Sequence, residues 1–359
     1  MTEPDYSRRR ALALSALVER GLDALLVSSL ASIRYLAGFT GSRGLLVLLP
    51  GAARLITDAR YSLQAAAETG CKVSAVRGSL FTAAARSFRG KRTRLGFSPR
   101  HLSHEEFLNL SAQVPSGVRL ISDGGLVETL RMVKSSREIE LLRLSSQLNS
   151  EAFSRTVSVI RPGVSELDLA CEIDHLSRQL GAEKPAFETI VAFGAHSAMP
   201  HASAGAKTLA HNELVLIDMG AFRQGYASDM TRACFAGRPG RRVRKVYGAV
   251  LEAQLAAVAA VRDGVTAESV DRAARRVLRA HGLERAFVHA CGHGLGLEIH
   301  EAPRLGRGDK TRLEVGMAIT VEPGVYLQEF GGIRIEDTVV VTRNGCEILT
   351  PTSKELLTV

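Results

Sequence analysis

Residues 214–235, LVLIDMGAFRQGYASDMTRACF, decide the fold of the C-terminal half. Apolar residues run up to Asp218, a turn is centred on Arg223-Gln224, and Asp229 follows on the return at the same distance from that centre. Antiparallel pairing about this turn predicts that Asp218 and Asp229 stand opposite one another. Residues 318–341, AITVEPGVYLQEFGGIRIEDTVVV, repeat the pattern. Glu322 precedes a glycine by two positions, as Asp218 does, and Glu336 lies on the returning strand, as Asp229 does. Between the hairpins, HACGHGLGLEIHEAP (289–303) offers His293 among Gly292, Gly294 and Gly296.

Burying four carboxylates on otherwise apolar strands costs many kcal/mol unless cations neutralise them. Two divalent metal ions meet that need. Oxygen-rich ligation with one imidazole and no thiolate favours hard or borderline ions, Mn²⁺ first, with Co²⁺ and Zn²⁺ also fitting. Paired metals roughly 3.5–4 Å apart polarise a carbonyl and generate a nucleophile near neutral pH, the chemistry of amide or ester hydrolysis. Taken singly, each acid reads as a solvated strand-end residue, and the glycines as a loop that needs positive φ. Repetition of the hairpin separates the two readings.

With these motifs in view, the chain resembles the pita-bread metallopeptidases, and within them the Xaa-Pro group that includes aminopeptidase P and prolidase. The matching stretches are PHASAGAKTLAHNELVLIDMGA (200–221), GYASDMTR (225–232), HACGHGLGLEIHE (289–301), VEPGVY (321–326) and RIEDTVVV (334–341), in the family's order. The resemblance implies Asp218 on one metal, Asp229 and Glu336 bridging both, and His293 with Glu322 on the second. It implies that water activated between the ions attacks the scissile carbonyl, with Glu322 as general base or proton shuttle. His201 and His300 match positions that bind substrate and stabilise the oxyanion, and His289 a position beside the metals. Each of these histidines alone reads as an ordinary hydrogen-bonded residue. Arg334 alternates onto the face of Glu336 and is expected to orient carboxylates by bidentate bonding, with Tyr326 as a further substrate-side candidate.

At 359 residues the chain exceeds one compact core, so two domains are expected. The opening MTEPDYSRRRALALSALVERG alternates charge with apolar positions at helical spacing, which predicts a helix and not a signal peptide. No apolar run is long enough to span a bilayer, and no membrane partner is expected. Five scattered cysteines point to free thiols and a cytoplasmic location. The net charge of +9 raises nucleic acid as a partner, but the arginines at 8–10 and 238–245 carry no recognised nucleic-acid motif, so none is expected.

Strand-like LDALLVSS and GLLVLLP alternate with helical YSLQAAAETG and SHEEFLNLSAQV, an α/β pattern. It is similar to the creatinase-type N-terminal domain, and YLAGFTGSRG (35–44) and TDARYSLQAA (57–66) resemble aminopeptidase P more than prolidase. Ser135 and Glu138 form a capping-box pattern, a second helix starts at Ser165 and stops at Gly181, and helices near 241–262 and 266–281 separate the two hairpins. The expected organisation is α+β: a creatinase-like α/β domain (1–125), a linker (126–134) and a pita-bread metallopeptidase domain (135–359).

The activity this implies is release of the N-terminal residue from peptides with proline second, aminopeptidase P-like, by a homodimer. Prolidase action on Xaa-Pro dipeptides is the alternative. Creatinase on the same fold works without metals and lacks the ligand set, non-catalytic relatives lose ligands, and methionine aminopeptidase lacks the large N-terminal domain.

Overall fold

The computed structural model describes residues 5–88 and 92–359. The chain divides into two compact units, Met1–Arg131 and Met132–Val359.

In the first unit six strands form one mixed sheet, in the order Lys72–Val76, Ala52–Asp58, Leu45–Leu49, Ala24–Val27, Thr93–Phe97, Val118–Ser122. The central strand Ala24–Val27 is buried along its whole length, as a strand covered by helices on both faces must be. Arg9 and Arg10 of the first helix, Tyr6–Glu19, donate to the carbonyls of Tyr35 and Leu36, so two of the N-terminal arginines serve packing. Residues 126–132 form a short helix with Leu126, Val127 and Arg131 buried.

The second unit repeats a pair of helices followed by a hairpin. Ser136–Thr156 packs on Glu166–Gln179, and Arg241–Ala260 packs on Ala267–Ala280. The first helix begins with the expected reciprocal cap: Glu138 N–H donates to Ser135 Oγ at 3.3 Å, and Ser135 N–H donates to the Glu138 carboxylate at 2.9 Å. Such a cap stabilises a helix by about 1 kcal/mol. The second ends at Gln179, and Gly181 takes the left-handed φ of 97° that lets the chain turn away.

Strand Glu213–Met219 lies between Ile190–Phe193 and Met230–Ala236, antiparallel to both. Alternation sends Val215, Ile217 and Met219 into a core with Phe153, Ile173 and Phe193, while Leu214 and Leu216 meet Phe235, Val250 and Ile319. Asp218 therefore projects on the Leu216 face. A five-stranded sheet, in the order Glu301–Leu305, Gly292–Gly294, Ala318–Val321, Asp337–Thr342, Gly345–Ile348, carries the second hairpin and His293. Each fully buried Val, Leu, Ile or Phe contributes roughly 1.5–3 kcal/mol. These clusters anchor the strands against the cost of the acids they carry.

Candidate metal centre

Both hairpins are interrupted ladders, with Asp229, Glu322 and Glu336 in the interruptions and Asp218 within the last two pairs before the first of them. In the first, Glu213–Met219 pairs with Met230–Ala236, then the ladder lapses and resumes between Ala221–Arg223 and Tyr226–Ala227. The turn is centred on Gln224-Gly225, with φ of 50° and 79°, the two left-handed residues of a type I′ turn. This corrects the turn predicted at Arg223-Gln224. Asp218 faces Thr231, not Asp229. A one-residue shift of the turn centre moves the partner by two positions, so the face is conserved and Asp229 remains diagonal to Asp218. In the second hairpin, Ala318–Val321 pairs with Asp337–Thr342 and Gly324–Leu327 with Gly331–Arg334, all in one register. Continuing that register across the gap sets Glu322 directly opposite Glu336.

The glycines beside His293 answer to crowding. A Cβ on Gly292 would lie 2.0 Å from Thr320 O, and one on Gly294 2.2 Å from Ala302 O. Only glycine lets the neighbouring strands close around the imidazole. The His293 N–H donates to Thr320 Oγ1 at 3.0 Å, and Thr320 Oγ1 donates to Glu322 Oε1 at 3.1 Å. His293 Nδ1–H donates to Gly294 O at 3.0 Å, which leaves the Nε2 lone pair facing the acids. Nε2 stands 3.5 Å from both Asp229 Oδ2 and Glu322 Oε1. Burial lowers the His293 pKa, against the pull of Gly294 O and Asp218, and keeps the ring neutral as a ligand must be.

Asp229 and Glu336 are 5% and 1% exposed. Burial, then repulsion from neighbouring carboxylates, raises both pKa values far above the usual range, and burial raises Glu322 to about 7. Among the described residues, buried Asp218 Oδ1 and Glu336 Oε1 have no hydrogen-bond partner. One donor atom from each of Asp229, His293 and Glu336 lies within 4.8 Å of the others. Orphaned buried oxygens, mutually repelling acids and a lone pair aimed at them are what a divalent cation satisfies. The donor set fits hard or borderline metal ions.

Arg334 ties the surroundings together. Its Nη2 donates to Asp218 Oδ2 at 2.5 Å, Nε to Thr231 Oγ1 at 2.9 Å, and Nη1 to Tyr326 Oη at 2.5 Å and Pro200 O at 3.3 Å. The expected bidentate grip on a carboxylate is thus a fork split between one acid and three other partners. Thr231 Oγ1 in turn donates to Glu336 Oε2 at 2.7 Å. Tyr326 Oη lies 2.9 Å from His289 Nε2, and His289 Nδ1 lies 2.7 Å from Ala290 O. Burial and the Arg334 charge lower the His289 pKa to about 4, so the neutral ring donates through Nδ1 and accepts the Tyr326 hydroxyl at Nε2. Both nitrogens are engaged inside the protein. His300 packs edge-on against His293 at 4.4 Å between ring centres, and both His300 and His201 are exposed.

The sequence reading missed Thr231, Thr320 and Arg304. The first two could have been found from period-two alternation with Asp229 and Glu322. Arg304 pairs directly across from His293, so the two side chains share a face. It also lines a cavity of about 500 Å³ with Arg275, Arg285, Arg307, Glu284 and His289.

Residues 140–343 match metallopeptidase family M24, and residues 9–133 match the creatinase/prolidase N-terminal domain. The Xaa-Pro dipeptidase of Pyrococcus furiosus is 43% identical over 232 residues, 65% of this chain and 67% of that protein. The solved structure of an Xaa-Pro dipeptidase from Bacillus anthracis matches with a TM-score of 0.95 at 37% identity, covering 99% of this chain and 100% of its own. That of an X-Pro aminopeptidase from Thermotoga maritima matches with a TM-score of 0.91 at 34% identity, covering 98% and 99%. With its creatinase/prolidase N-terminal domain and pita-bread catalytic domain, the chain belongs to metallopeptidase family M24.

Proposed function

We propose that the protein is a two-metal Xaa-Pro dipeptidase that cleaves the bond before the proline of Xaa-Pro dipeptides. The observation that carries this reading is Arg304 on the His293 face, at the edge of a cavity walled by four arginines and one glutamate. In a dipeptide the free carboxylate lies one residue from the scissile bond, and a cation paired across the strands from His293 suits it; a longer peptide has a neutral amide at that place. Similarity to the Pyrococcus furiosus and Bacillus anthracis dipeptidases supports the same choice. The sequence reading put aminopeptidase action on longer peptides first, through the 35–44 and 57–66 segments. That second reading keeps the support of the Thermotoga maritima aminopeptidase.

Asp218, Asp229, His293, Glu322 and Glu336 are the proposed metal ligands, with Mn²⁺, Co²⁺ or Zn²⁺ as the ion. When bound, two such ions polarise the scissile carbonyl and activate water. Glu322, which accepts from Thr320 Oγ1 and stands 3.5 Å from His293 Nε2, is the group that would take a proton from the attacking water and return it to the prolyl nitrogen as the C–N bond breaks. His201 and His300, exposed at the site, hold the substrate and donate to the carbonyl oxygen as charge develops there. Arg334 orients Asp218, while Tyr326 and His289 hold Arg334 in turn.

The test is hydrolysis of Ala-Pro and Ala-Pro-Ala by metal-stripped protein, with and without each ion. Metal-dependent cleavage confined to Ala-Pro supports the proposal, and release of Ala from the tripeptide at the same efficiency moves the function to an aminopeptidase. Arg304→Ala is expected to raise KM for Ala-Pro roughly tenfold or more, with kcat little changed, as loss of one charged hydrogen bond predicts. An unchanged KM would remove Arg304 from the substrate site.

A further inference from the structure

We propose that Arg232 is a positioning residue of the metal centre, locking the two carboxylate hairpins in mutual register from behind. The inference rests on the two-metal reading above.

Thr231 and Glu336 face the site, so alternation turns their successors, Arg232 and Asp337, to the opposite side of their strands. There they form an ion pair at 2.8 Å, with side chains 2% and 0% exposed. Every donor of the guanidinium is used. Nη1 donates to Thr231 O at 2.9 Å and to Glu336 O at 2.5 Å. Nη2 donates to Asp337 Oδ1 at 2.8 Å and Thr352 O at 2.6 Å, and Nε donates to Ser353 O at 2.9 Å. The five bonds reach the first hairpin, the second hairpin and the segment that follows it.

Asp337 Oδ2 also accepts from Gln254 Nε2 at 2.9 Å and Lys354 Nζ at 2.7 Å, which carries the connection to helix Arg241–Ala260. The carbonyls that Arg232 holds belong to Thr231, whose hydroxyl donates to Glu336, and to Glu336 itself. Between the strands at this point the backbone supplies one further bond, from Glu336 N–H to Thr231 O at 3.2 Å. The fork of Arg232 therefore sets the separation of Glu336 from Asp229, which lies two residues before Thr231. Lysine has three donors on one nitrogen and cannot span these acceptors.

Arg232→Lys should raise the Kd for Mn²⁺ roughly tenfold to hundredfold, the usual range for groups that orient metal ligands. It should lower kcat on Ala-Pro while leaving KM within about twofold, because the substrate-binding groups are untouched. The isosteric Asp337→Asn should act in the same direction, and it decides the matter if metal-stripped Arg232→Lys no longer unfolds cooperatively. Calorimetric Mn²⁺ titration of wild type and both variants is the deciding measurement. Wild-type affinity in either folded variant overturns the inference. Because affinity is read without substrate, a wild type that binds Mn²⁺ but leaves Ala-Pro intact defeats the dipeptidase reading and still decides the role of Arg232.

Discussion

The two carboxylate hairpins share a sequence pattern but divide the electrostatic work. In the second, Glu322 and Glu336 oppose in register, Thr320 Oγ1 donates to Glu322, and the Arg334 charge on the same hairpin counters the burial of both acids. In the first, Asp218 and Asp229 are diagonal, and Asp218 faces Thr231. Polar support crosses between them. The second hairpin's Arg334 holds Asp218, and the first hairpin's Thr231 holds Glu336. Each hairpin orients an acid of the other, so neither makes a site alone. The contrast teaches that repetition of a motif conserves the ligands, whereas the groups that compensate and orient them are dealt asymmetrically.

Removing a shared ligand should break the arrangement most completely. Asp229→Ala should abolish Mn²⁺ binding by calorimetry and Ala-Pro hydrolysis to the assay background, with the first unit still folded; full metal-dependent rate would overturn the ligand assignment. Cutting the brace from second hairpin to first comes next. Arg334→Lys keeps the charge but loses the fork, and kcat/KM on Ala-Pro should fall roughly a hundredfold. A change within twofold would show that Asp218 needs no such brace. The reverse brace is smaller: Thr231→Val keeps shape while removing a single hydroxyl, and turnover should drop roughly tenfold.

The buried acids of the second hairpin also predict a pH effect. Folding raises the Glu322 pKa from 4.5 to about 7, so the folded state binds the proton more tightly than the unfolded one. Its contribution is present in full below pH 4.5 and is lost as pH rises through about 7. His289, His293 and His300 are shifted downward and oppose this trend, so the comparison must be with a variant. The stability of metal-stripped wild type relative to metal-stripped Glu322→Gln should fall by on the order of 3 kcal/mol over that range. Denaturant titration at several pH values would read it, and a flat difference would mean that Glu322 is not desolvated without metal.

Much of the site was legible because its chemistry is local in sequence. Apolar runs bounded by turns placed the strands, the capping pairs at Ser135 and Ser165 placed the helices, and acids at matched positions proposed the ligands. The turn of the first hairpin was misplaced by one residue, since Gln224 at φ 50° carries no sequence mark of left-handed backbone as strong as that of the glycine after it. The face of Asp229 survived the error because a hairpin register moves in steps of two. What alternation cannot reach are contacts between distant segments: Arg334 with Asp218, 116 positions away, or Arg232 with Asp337, 105 away. The sequence by itself singled out four acids and one histidine as candidates, through the repeated hairpin and glycine placement. Only the tertiary structure decided which charge compensates which acid, because in a desolvated interior that pairing depends on distance and direction between strands that are far apart along the chain.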